Sequence, residues 1–231
     1  MTTNEYRALR TFGGRNGRKL SARQQGLIDG LLPKLHIALP ENGMLDPQSI
    51  FENSSEIWLE IGFGGGEHVS GQAVRNPTIG LLASEVFSEG VAKLLGQIDD
   101  EGLSNIRLWP RDGRDLVSAL ADDSLDRIFI LFPDPWPKTR HHKRRLIQAE
   151  FLDELARVLK PGGRLRFATD VRSYADEALE RFLAHDEFKW MATSADDWRQ
   201  VPADHIKTRY QEKNLGDIAP VYYDFMINPK A

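Results

Sequence analysis

Ile57-Trp58-Leu59-Glu60-Ile61-Gly62-Phe63-Gly64-Gly65-Gly66 is the stretch on which the fold turns. Residues 57–61 form an apolar run of strand length interrupted by one acid. Glycines follow at once, and a helical pattern over 67–75 begins where they end. Strand, glycine turn and helix open a βαβ unit. The same alternation recurs outward from there. Short runs at 79–84, 106–109, 127–131, 164–168, 189–193 and 221–226 predict six further strands. Patterns at 88–99, 114–120, 145–159 and 171–185 predict helices, and Lys160-Pro161-Gly162-Gly163 ends the one before it. Strands alternating with helices imply right-handed crossovers and a doubly wound, mostly parallel sheet of the α/β class. In such sheets ligands bind beyond the carboxyl ends of the strands, which is where chemistry is expected.

The chain has 231 residues and 41% hydrophobic content, enough for one large domain or two small ones. A charged fraction of 28% with 9% aromatics argues against a mainly disordered chain. No apolar run approaches the ~18 residues of a membrane span. The first residues, MTTNEYRALRTFGG, hold no apolar core segment and do not read as a secretory signal. With no cysteine, disulfides, thiolate nucleophiles and Cys-based zinc sites are excluded. A cytoplasmic protein is the expectation, with no metal, no membrane partner and no obligate protein partner, a monomer. Residues 1–56 read as a basic extension with an amphipathic helix over 21–39, broken at Pro33. Residues 57–231 read as the α/β domain.

Net charge is −4, with +5 on residues 1–23 and +5 on 138–145 (KTRHHKRR), so the remainder carries −14. Two concentrated basic segments on an acidic body suggest a directed polyanion site.

The glycine loop reads E-x-G-x-G-x-G through Glu60, Gly62, Gly64 and Gly66. A dinucleotide fingerprint starting at Gly62 would need glycine where Glu67 stands, and Glu67 would repel a pyrophosphate there. A ligand without phosphates fits better. Glu60, ending a buried strand, needs a partner, and a cationic ligand such as the sulfonium or amino group of S-adenosylmethionine would supply one. Glu85 ends the second strand, 23 residues after Gly62, where an acid accepts from ribose hydroxyls. Asp112, after the third strand, either accepts from an adenine amino group or caps the next helix.

The fourth strand leaves through Phe132-Pro133-Asp134-Pro135-Trp136-Pro137 into the basic run. Three prolines stiffen the loop. Asp134 is placed to bond the donor edge of a base, and Trp136 to stack on a base or pack the loop. Lys138, Arg140, Lys143, Arg144 and Arg145 are expected on phosphates. Adjacent His141 and His142 point different ways and do not make a metal site. Asp170 ends the fifth strand as a cap or a ligand contact.

Together these residues resemble the bacterial tRNA (guanine-N7-)-methyltransferases, a class I S-adenosylmethionine-dependent family. The resemblance rests on 60–66 (EIGFGGG), 132–145 (FPDPWPKTRHHKRR), 159–163 (LKPGG), Thr169-Asp170 and 208–210 (TRY), with the basic stretch 10–18, and covers nearly the whole chain. It implies a Rossmann-like, seven-stranded sheet with its last strand antiparallel. It implies cofactor contacts from Glu60, the loop glycines, Glu85, Asp112 and Asp134, with Asp134 catalytic. It implies substrate contacts from Lys138, Asp170, Thr208, Arg209, Tyr210 and Gln211, and tRNA as partner. The family usually carries glutamate where Gln211 stands, with Glu212 next here, so either residue is a candidate for the guanine contact. A tRNA-binding module without activity and a small-molecule transferase on the same fold are the competing readings.

Overall fold

The computed structural model describes residues 19–51, 53–213 and 215–228. Seven strands form one sheet: β1 (Ile57–Ile61), β2 (Gly80–Ser84), β3 (Ile106–Trp109), β4 (Leu125–Leu131), β5 (Leu159–Thr169), β6 (Phe188–Trp190) and β7 (Val221–Ile227). Their order is β3-β2-β1-β4-β5-β7-β6. β1 to β5 pair in parallel, while β7 runs antiparallel to both β5 and β6. The expected doubly wound sheet is present, and strand order reverses between β1 and β4. β1 and β2 are buried at every position, the near-continuous apolar pattern of strands covered on both faces.

Helices cover the sheet on two sides. α3 (Glu67–Arg75) and α4 (Ser88–Glu101) pack Val69, Ala73, Val91, Leu94, Leu95 and Ile98 against Trp58, Leu81, Phe129 and Leu131. α5 (Gly113–Ala119), α6 (Ala149–Val158) and α7 (Arg172–Leu183) cover Leu59, Ile128, Ile130, Leu165 and Phe167 on the other side. Burying each large aliphatic side chain contributes ~1.5–3 kcal/mol, so the two layers set the sheet's register firmly.

The expected extension is only partly described; its arginines at 7, 10, 15 and 18 lie outside the described residues. α1 (Ala22–Gly30) opens on a capping box between Ser21 and Gln24. Arg23 reaches Asp99 and Asp100 on α4. Pro33 falls in the first turn of α2 (Leu32–Leu35), where its missing N–H costs little. The chain then joins the sheet domain: Ile37 N–H donates to Leu108 at 2.9 Å, and Ile37 and Phe51 are buried in the core.

Within the sheet domain, three boundaries differ from expectation by three residues or more. α6 starts at Ala149, four residues later than the sequence pattern, because Thr139–Arg144 winds as a 3₁₀ turn and Arg145 turns inward. β5 begins at Leu159, which pairs with Leu125 across a register shift, so Gly162 and Gly163 lie inside the strand. β6 is three residues long and ends at Trp190.

Candidate active site

A cleft of about 250 Å³ lies beyond the carboxyl ends of β1 to β4, at the reversal of strand order. Its walls are the glycine loop, residues 84–87, residues 111–114 and the proline loop with Asp134 and Trp136. Gly62, Gly64 and Gly66 all have positive φ, at 75°, 58° and 84°, which an L side chain rarely adopts. Added β-carbons at Gly62 and Gly64 would meet nothing within 4 Å, so a ligand can approach the backbone there. Behind the loop the fit is close. A β-carbon at Gly90 on α4 would collide with the Gly64 carbonyl, and Gln97 Nε2 donates to the Gly65 carbonyl at 2.8 Å. Gly90 was not singled out in the sequence; nothing in its helical pattern marks it.

Glu85 is buried and holds the loop in place. One oxygen accepts from Gly64 N at 2.8 Å, the other from Val86 N at 2.7 Å and Phe87 N at 2.9 Å. Burial nevertheless raises its pKa, with Asp134 adding repulsion. Asp134 stands at the mouth, exposed to solvent on one side, while the loop walls desolvate it enough to raise its pKa also. Asp112 caps α5, accepting from Arg114 N at 3.0 Å, and the Arg114 guanidinium grips both its oxygens. It also lines the cleft, so the capping and binding readings coexist at one residue.

Glu60 departs from expectation. It is 2% exposed and its Oε2 meets His68 Nδ1 at 2.6 Å, so the partner it needs comes from α3. Glu60 braces the loop from beneath and is not among the cleft's walls.

The proline loop is held in an uncommon conformation. Phe132 and Trp136, each before a proline, have positive φ of 52° and 44°. Such residues cluster at functional sites, where surrounding contacts over-determine them. Phe132 N–H donates to Ala168 at 2.8 Å. Trp136 is buried, with the Arg144 guanidinium over its ring at 4.9 Å, so it packs the loop. Lys138, Arg140, Lys143 and Arg144 remain exposed beside it. Arg145 does not belong with them. It is 1% exposed, and its guanidinium donates to Pro135 O at 2.9 Å, Ser173 O at 2.8 Å and Ser173 Oγ at 2.8 Å, and pairs with Glu177. The expected phosphate contact is a buried brace of the proline loop instead.

Asp170 is buried and does not cap α7; Val171 stands at that position without a side-chain cap. Asp170 Oδ1 accepts from Tyr210 Oη at 3.2 Å, and the Tyr210 ring lies 5.4 Å from that of Phe132. Burial, then Asp170, then Asp134 push the Tyr210 pKa up to about 12, keeping it a neutral donor. The expected substrate segment thus stands beside Asp134. Beyond the short helix α8 (Asp196–Arg199), Thr208 and Gln211 form a reciprocal cap on α9 (Arg209–Lys213). Gln211 Oε1 accepts from Thr208 N at 3.0 Å and Gln211 N donates to Thr208 Oγ1 at 3.5 Å. Gln211 also meets His205 Nε2 at 2.7 Å and donates to Tyr222 Oη at 2.8 Å. Its amide is taken up by Thr208, His205 and Tyr222, so in this structure Gln211 supports the segment. The T-x-x-Q spacing was the available signal for this role. Among the described residues there is no cluster of three or more metal-ligating side chains, and no helix is long and apolar enough to cross a membrane.

A protein family described as "Putative methyltransferase" matches residues 54–222. A tRNA (guanine-N(7)-)-methyltransferase from Hyphomonas neptunium is 52% identical over 95% of this chain and 100% of its own. Relatives bearing the same name from Caulobacter vibrioides and Rhodospirillum rubrum are 49% and 48% identical, over 97% and 96% of this chain and 99% and 89% of theirs. Among solved structures, an rRNA methylase from Streptococcus thermophilus aligns with a TM-score of 0.53 at 15% identity, over 78% of this chain and 90% of that one. The 16S rRNA methyltransferase KamB aligns at 0.54 and 14%, over 81% and 96%. These structures share the fold; the sequence relatives decide the family. With half its residues shared along nearly its full length, the chain belongs to the tRNA (guanine-N(7)-)-methyltransferase family.

Proposed function

We propose that this protein transfers the methyl group of S-adenosylmethionine to N7 of a guanine in tRNA, the variable-loop guanine at position 46 in tRNA numbering. The observation that carries the reading is the position of Asp134. Asp134 lines the cleft together with Gly64, Glu85 and Asp112, and the Phe132 ring at the start of its loop lies 5.4 Å from that of Tyr210, so this loop joins the cleft to the substrate-side segment.

The cleft suits the proposed cofactor. Open backbone at Gly62 and Gly64, a buried unpartnered Ser84 Oγ and the carboxylates of Glu85, Asp112 and Asp134 suit a nucleoside bearing positive charge, while the cleft's arginines are engaged, Arg114 by Asp112, Arg111 over Trp109 and Arg144 over Trp136. S-adenosylmethionine supplies an electrophilic methyl carbon. Gly62, Gly64, Glu85, Asp112 and Asp134 would hold it, with Gly66 and Glu60 keeping the loop in shape. Guanine N7 has a free lone pair, so no side chain need remove a proton, and the protein contributes alignment. Asp134, the catalytic residue of this proposal, accepts from the guanine N1–H or exocyclic amino group and sets N7 in line. Asp170 and Tyr210 form the adjoining wall. Lys138, Arg140, Lys143 and Arg144 bind the tRNA backbone. Exposing a base held in tRNA tertiary structure costs a few kcal/mol, which phosphate contacts offset.

The test is transfer of labelled methyl to unmodified tRNA with the product nucleoside identified. The expected product is 7-methylguanosine, and Asp134→Asn lowers turnover at saturating tRNA by at least about tenfold. Transfer to another base overturns the assignment. Near-normal turnover by Asp134→Asn removes the role of its charge.

A further inference from the structure

The helix that follows the glycine loop also carries the substrate-side segment. Positions 67, 68, 71, 72 and 75 lie on one face of α3, and each meets residues 204–209. Glu67 Oε1 pairs with Arg209 Nε at 2.9 Å. The His68 and His205 rings lie 5.6 Å apart. Gln72 Nε2 donates to the Asp204 carbonyl at 2.8 Å, and Arg75 Nη1 reaches the same oxygen at 3.5 Å. Between them, Ile206 sits over Gly71, where an added β-carbon would collide with its Cδ1. Glycine inside a helix is unfavourable, and here it stands where Ile206 is seated.

Each end of this contact leads to one half of the site. The N-cap of α3 is Gly66 of the glycine loop, and His68 is bonded to Glu60 at the end of β1. His205 leads through Gln211 to the cap of α9, whose Tyr210 is bonded to Asp170.

We infer that Ile206, seated on Gly71, is a positioning residue that registers segment 204–211 against the cofactor loop, so that cofactor and tRNA bind with positive coupling. This rests on the proposed methyl transfer to tRNA. A ligand packed on the glycine loop fixes the start of α3. The segment docked on α3 then loses less freedom when tRNA contacts it. Such coupling is reciprocal, so each ligand tightens the other by the same factor.

The experiment uses the full chain, S-adenosylhomocysteine as the unreactive cleft probe and unmodified tRNA. Each dissociation constant is measured with and without a saturating amount of the other ligand. The wild type is expected to show a tightening of about fivefold or more, equal in both directions. Ile206→Ala brings both ratios below about twofold, leaves the affinity for S-adenosylhomocysteine alone within about twofold, and Ile206→Val restores most of the ratio. If Ile206→Ala is unfolded at the assay temperature, Gly71→Ala, which displaces Ile206 from the helix side, gives the same comparison. A wild-type ratio of one, or an unchanged ratio in the variant, overturns the inference. Methyl transfer is assayed in parallel. Transfer with a ratio of one refutes the coupling alone, whereas coupling without transfer refutes the proposed activity alone.

Discussion

Replacing Arg145 by methionine keeps most of the aliphatic stem and removes the fork. In the structure that fork satisfies the Pro135 carbonyl at 2.9 Å and the Ser173 carbonyl at 2.8 Å, and its cation lies 4.8 Å from the Tyr174 ring centre. The Ser173 carbonyl keeps its partner within α7, but the Pro135 carbonyl is left without a donor, at a cost of ~1–3 kcal/mol. Glu177 keeps Arg181 at 2.8 Å, so its charge is not stranded. With the Ser173 Oγ contact and the packing of the cation against Tyr174 also lost, the total is ~2–4 kcal/mol. For a chain of 231 residues that lowers the melting temperature by on the order of 10 °C. The assay is thermal unfolding by circular dichroism, alongside the salt dependence of tRNA binding. Arg140→Ala and Lys143→Ala, at exposed positions, are expected to melt within ~0.5 kcal/mol of wild type. Each should take about one unit from the slope of log K against log salt. If Arg145→Met melts like wild type and lowers the salt slope by about one, Arg145 is a phosphate contact and the reasoning from burial fails.

Burial raises the pKa values of Glu85 and Asp134, and their ionised forms are the ones that accept from a ligand. The affinity for S-adenosylhomocysteine, measured by calorimetry, is therefore expected to fall as pH drops, starting above the ordinary carboxylate range near ~4; a curve flat down to that range contradicts this. At Asp204, burial acts to raise the pKa, but Arg166 and Arg127 more than offset it and hold the carboxyl well below its ordinary value. A depressed folded-state pKa stabilises above the unfolded-state value and is lost as pH falls through the folded one. Asp204→Asn should cost ~1–3 kcal/mol at neutral pH, reduced by the 41% exposure of its side chain, and less at pH ~3, as read by urea unfolding; an equal loss at both pH values refutes the pairing. Gly90→Ala forces α4 away from the Gly64 carbonyl. It should cost ~1–3 kcal/mol and weaken S-adenosylhomocysteine binding, and unchanged affinity would show that the loop does not depend on α4.

Much of the fold was legible because buried parallel strands are apolar on both faces and their helices are not. Ile57–Ile61 and Gly80–Ser84 announce themselves in that way. The carboxyl ends of the strands then point to Glu85, Asp112 and Asp134 without further information. What a linear reading misses is the direction in which a charged side chain turns. Arg145 closes a run of solvated cations, and only the apolar Leu146-Ile147 after it hints that the chain is already entering the core. Glu60 was rightly seen to need a partner, but His68, in the first turn of the following helix, competes with any ligand for that role. Gln211 reads as a departure from a binding motif, yet glutamate and glutamine can both reach back to the Thr208 amide, so the change preserves the cap. His205 and Ile206 carry no local signal, because their importance comes from the face of α3 on which they rest.

The central claim is tested most directly by labelled methyl transfer from S-adenosylmethionine to one unmodified tRNA transcript, and to the same transcript with adenine at the variable-loop guanine. The account predicts 7-methylguanosine in the first and no incorporation in the second. Equal incorporation into both, or none into the first while both ligands bind, would contradict it.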